Sequence, residues 1–164
     1  MVRSDALSVR QIAIVLACFL SVVTAACSAS APTPSPTVAK AKATPTAVVK
    51  KMANGQTAIT VYLSEPTGTY QTGTATLTGD GDKTVVVVDV APSMPISQPI
   101  HIHVGACTAV GTIADKLADV VLGKSTTEIA KPIREVASGG KVINVHLSAT
   151  EIRTYTACGE IPAL

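Results

Sequence analysis

Lys83 to Val90 reads KTVVVVDV, the densest β-branched run in the chain. Branching at Cβ crowds a helix but packs well on a pleated surface, so this run predicts a central strand. Similar segments recur on both sides of it. Thr57 to Leu63 (TAITVYL) alternates, with Ile59, Val61 and Leu63 on one face and Ala58 and Thr60 on the other. Thr69 to Thr78 is threonine-rich and suits a half-exposed strand, and Gly79 to Asp82 (GDGD) is a hairpin turn signal. Ala91 to Pro99 holds three prolines and is expected to be loop. Further strands are expected at His101 to Val104, Leu117 to Leu122, Ser125 to Ile129, Lys141 to Leu147 and Tyr155 to Cys158. Single helical turns are expected at Pro132 to Ala137 and after Ser148, where Ser148-Ala149-Thr150-Glu151 has the form of a capped helix start. Short strands between turns, with no long amphipathic helix, define an all-β fold: an antiparallel sandwich or barrel.

This fold belongs to the C-terminal part alone. Arg3 and Arg10 precede an uncharged apolar run, Ile12 to Val23, and small residues follow it. That is the form of an export signal over residues 1–26, too short to span a bilayer comfortably. Thr24-Ala25-Ala26-Cys27 resembles a bacterial lipobox, with Thr24 in place of the usual leucine. The resemblance makes Cys27 the lipid-bearing residue, anchored to a membrane in the cell envelope and facing the periplasm or the exterior. Residues 27–53, rich in Pro, Thr, Ala and Lys, cannot bury enough apolar surface to fold and read as an extended tether. Residues 54–164 are long enough for one β domain.

The net charge of +2 is small, and Tyr62, Tyr70 and Tyr155 are the only aromatics beyond the apolar run. Without a basic stripe or a stacking platform, nucleic-acid binding is excluded. Cysteine arithmetic points the same way as the export signal. With Cys18 removed and Cys27 lipidated, Cys107 and Cys158 remain as an even pair expected to form a disulfide. It closes a loop of about 50 residues and contributes roughly 4 kcal/mol on the chain-entropy account.

The chain has three histidines. His101 and His103 stand two apart on an expected strand and so project from one face. His146 lies on another strand, and if the two strands are neighbours all three imidazoles converge. Imidazole suits copper and zinc, and three nitrogens form either a trigonal copper(I) site or an open zinc site. No serine–histidine–acid set has suggestive spacing, and the GDGD turn lacks the ligand count of a calcium loop.

Taken in order, His101-Ile102-His103, Cys107-Thr108-Ala109-Val110-Gly111, Val145-His146 and Ala157-Cys158-Gly159-Glu160-Ile161 resemble the copper/zinc superoxide dismutase family. That family has an H-V-H strand, a C-T-x-x-G loop, a later strand histidine and a terminal A-C-G-x-I. The resemblance covers about Ala58 to Ile161. It implies a Greek-key β-sandwich, copper held by His101, His103 and His146, and a Cys107–Cys158 disulfide joining a loop to the last strand. The small anion served would be superoxide. The family's bridging histidine and zinc-binding histidines have no counterpart between Gly111 and Lys141. Asp115 and Asp119 alone do not replace them, which argues against zinc. The family's catalytic arginine position is Tyr155 here, and Arg153, two residues earlier, is the candidate anion guide. The HIH strand after the G-T-A-T-L-T segment also resembles bacterial chordin-type (CHRD) domains. That resemblance implies a non-enzymatic binding or structural module on the cell surface, with the histidines as framework.

Overall fold

The computed structural model describes residues 47–65 and 71–164. The expected export signal, Cys18, Cys27 and residues 27–46 of the expected tether lie outside the described residues. The chain forms β1 (Val48–Lys51), β2 (Thr57–Leu63), β3 (Thr72–Asp80), β4 (Lys83–Ala91), β5 (Ile100–Ala106), β6 (Ala109–Lys116), β7 (Lys124–Ile129), α1 (Ile133–Val136), β8 (Lys141–His146) and β9 (Tyr155–Ile161). Two antiparallel sheets result, one ordered β1-β2-β3-β4-β7 and the other β6-β5-β8-β9. The expectation of an all-β antiparallel sandwich is met. Among the described residues no helix is long and apolar enough to cross a membrane.

The core forms where the inward faces meet, and its residues follow the period-two pattern. Ile59, Val61 and Leu63 point inward from β2, as the alternation predicts, and Val86, Val88 and Val90 do so from β4. Ile100 and Ile102 on β5 meet Ile143 and Val145 on β8 in the same cluster. β4 is indeed central, flanked by β3 and β7. The sheets also touch at one rim, where Ser64 and Cys158 exchange both backbone hydrogen bonds at 2.9 Å. Gly159 makes this approach possible: a Cβ there would stand 2.5 Å from the Tyr62 carbonyl oxygen and 2.6 Å from Val61 Cγ1.

Several local expectations are corrected. Val48–Lys51, inside the stretch read as tether, pairs with β2 as an edge strand. Its four residues are all exposed, so composition carried no burial signal for it. β3 runs on through Gly79 to Asp80, leaving the tight turn to Gly81, whose φ of 58° explains the glycine. Residues 109–116, expected as loop, form β6 against β5, with register shifts on either side of His103. Leu117 to Leu122 is not a strand; only isolated bridges at Val120 and Val121 occur there. No helix follows Ser148, although the cap forms locally: the Glu151 N–H donates to Ser148 Oγ at 3.1 Å. The turn at Pro132 to Ala137 is helical, as expected.

Candidate metal centre

β5 and β8 are hydrogen-bonded neighbours, with His101 opposite Asn144 and His103 opposite Val142. Ile102 and Ile143 point into the core. Alternation therefore sends His101, His103 and His146 to the other side of the second sheet. The adjacency left open by the sequence is thus supplied by the fold. One ligand nitrogen from each ring lies within 4.8 Å of the others. An ion bound by three imidazoles at about 2.0 Å would hold its ligands roughly 3.5 Å apart, a spacing these rings would reach by drawing in by about 1 Å.

Hydrogen bonding to carbonyls decides which nitrogens are free. His103 Nδ1 donates to the Gly111 carbonyl oxygen at 2.9 Å. His146 Nδ1 donates to the Ile152 carbonyl oxygen. A carbonyl oxygen only accepts, so both protons sit on Nδ1 and both Nε2 atoms present lone pairs in the neutral rings. His101 Nδ1 lies 3.0 Å from His146 Nε2 and donates to it in the metal-free chain. The backbone carbonyls on His103 and His146 serve the orienting role that outer partners play at metal sites.

Burial supports the same chemistry. His103 and His146 are buried, and His103 Nε2 has no hydrogen-bond partner among the described residues. The His101 pKa falls from 6.5 to about 4, first because burial disfavours the charged ring, then because His146 and His103 stand beside it. His146 is also lowered, chiefly by burial and against the opposing bond to Ile152. These two rings are neutral near pH 7, the form that ligates a metal. The donor set of three imidazoles, one with a buried unpartnered nitrogen, fits a borderline transition-metal ion.

The other expected site residues are placed as follows. Cys107, in the turn between β5 and β6, is disulfide-bonded to Cys158 on β9, as expected. Arg153 is exposed in the turn before β9 rather than on the strand, because β9 begins only at Tyr155. It follows directly on Ile152, whose carbonyl holds His146. The Tyr155 ring packs edge-on to His146, with centroids 5.2 Å apart. Asp115 is paired with Lys131 at 2.6 Å, and Asp119 accepts from the Ser97 hydroxyl at 2.6 Å. Neither belongs to the histidine group.

Sequence reasoning missed Gly111 and Ile152, since they act through backbone oxygens. It also missed Asn144, the single amide among the apolar residues between Lys141 and His146. Comparison with family models, curated proteins and solved structures found no match.

Proposed function

We propose that this chain is an exported, lipid-anchored copper protein of the cell envelope, binding one copper ion through His101 Nδ1, His103 Nε2 and His146 Nε2. The observation that carries this reading is His103 Nε2: a ring nitrogen turned into a three-histidine group, buried and unpartnered. Leaving such an atom unsatisfied costs about 1–3 kcal/mol, and a metal ion removes that cost. The ordered motifs favour copper, an ion that imidazole nitrogens suit.

Bound copper supplies one-electron chemistry, and superoxide is the small anion proposed to meet it. The ordered motifs, the two-sheet architecture and the loop-to-last-strand disulfide support a dismutase-like Greek-key fold. Arg153, exposed beside the turn that holds His146, is the proposed anion guide. The chordin-type alternative, a non-enzymatic surface module, is favoured by the 3.0 Å contact in which His101 and His146 satisfy each other without metal.

The test is copper loading of the purified protein, with stoichiometry and superoxide consumption measured together. One copper per chain with turnover supports the full proposal. One copper without turnover leaves a binding or delivery role. No copper uptake leaves the framework reading.

A further inference from the structure

Among the described residues, four buried side-chain atoms lack hydrogen-bond partners: His103 Nε2, Asp115 Oδ2, and both Oδ1 and Nδ2 of Asn144. Asp115 is already ion-paired through its other oxygen. The remaining three atoms share one place. Asn144 stands directly opposite His101 across β5–β8 and opposite Cys158 across β8–β9. Directly opposed residues project to the same face. Asn144 therefore shares a sheet face with His101, two residues before His146, and it is fully buried.

A buried carboxamide with neither end satisfied is a costly choice where an apolar side chain would fit. Val142, on the same face of the same strand and equally buried, shows that valine is accepted there. His101 supplies the depth argument. The nitrogen it turns toward His146 is Nδ1, the ring nitrogen nearer the backbone. Asn144 Oδ1 is the same number of bonds from its own Cα as that Nδ1. Opposed on adjacent strands, the two side chains are of matching reach.

We propose that Asn144 is a fourth donor to the metal centre, its Oδ1 adding an oxygen to the three imidazole nitrogens. This rests on the copper reading above. Its consequence is selectivity between oxidation states. Copper(I) is content with three nitrogens, whereas copper(II) favours further nitrogen or oxygen ligands in a tetragonal arrangement. An added carboxamide oxygen thus holds the oxidised ion more tightly and lowers the potential of the couple.

The experiment compares the full chain with Asn144→Leu, an apolar side chain of similar shape, and with Asn144→Val, which Val142 shows the face accepts. Copper(I) and copper(II) affinities are measured by competition, and the copper(II) form is recorded by electron paramagnetic resonance. The expected result is unchanged copper(I) affinity and copper(II) affinity weakened about tenfold, which for one electron raises the potential by about 59 mV. The copper(II) spectrum shifts with it, and the metal-free variants melt no lower than the parent. Asn144→Asp, which keeps the oxygen, restores the copper(II) preference. An unchanged ratio of affinities with an unchanged spectrum overturns the fourth donor while leaving the three-histidine site standing. A parent protein that takes up no copper overturns both.

Discussion

The Gly111 carbonyl oxygen accepts a hydrogen bond from His103 Nδ1 at 2.9 Å, and the opposite nitrogen of that ring is the buried, unpartnered Nε2. The bond reaches across the β5–β6 hairpin and holds the ring with its lone pair turned into the histidine group. The tip of the same hairpin is tied to β9 by Cys107–Cys158. Ring, hairpin and last strand therefore form one mechanical unit.

Reducing that disulfide, or replacing both cysteines with alanine, is expected to lower stability by about 4 kcal/mol. The bridge closes a sequence separation of 51 residues, which the unfolded chain regains as freedom. Denaturant midpoints under oxidising and reducing conditions check this. Because the hairpin also carries Gly111, copper affinity is expected to fall about tenfold on reduction, as it does when an outer partner of a ligand is lost. A competition titration with and without reductant reads that change.

Acid is expected to destabilise the metal-free protein in a defined window. His101 titrates near 6.5 when unfolded and about 4 when folded, and His146 is shifted in the same direction. Between those values the unfolded chain binds protons that the folded chain refuses, so stability rises with pH. The contribution is complete above about pH 6.5 and is lost as pH falls toward 4. Melting temperature measured across this range should decline on the acid side, and the decline should shrink in His101→Gln.

Gly159→Ala is expected to cost about 1–3 kcal/mol through overpacking. The added Cβ would meet the Tyr62 carbonyl oxygen at 2.5 Å, Val61 Cγ1 at 2.6 Å and Leu63 Cδ2 at 2.9 Å. Backbone and buried side chains cannot all yield, so the rim between the sheets must open. Thermal unfolding checks the magnitude. Gly81→Ala, in open space but at φ 58°, is expected to cost only about 1 kcal/mol from its backbone conformation.

The features legible in the sequence were those set by local periodicity. His101 and His103 share a face because strand geometry leaves no other choice, and β4 was visible because its β-branched run suits a strand and crowds a helix. Cys107 and Cys158 were paired by counting. Other features depended on partners distant in sequence. Residues 109–116 are mostly exposed or half-exposed, and their register shifts against β5, so no alternation marks them as strand. The meeting of His146 with His101 needed β5 and β8 to be neighbours. Asn144 carried a signal that went unused: one amide among the apolar residues between Lys141 and His146, in phase with His146. Its importance lies in its lack of partners, which only the packed chain displays.

His103 Nε2 is the nitrogen on which the proposed copper site depends. The most direct test of that dependence is a copper(I) competition titration of the protein beside His103→Ala, with folding monitored by circular dichroism. The account predicts one tight equivalent for the parent chain and affinity at least a hundredfold weaker for the folded variant. Equal copper uptake by both chains, or none by the parent, would contradict it.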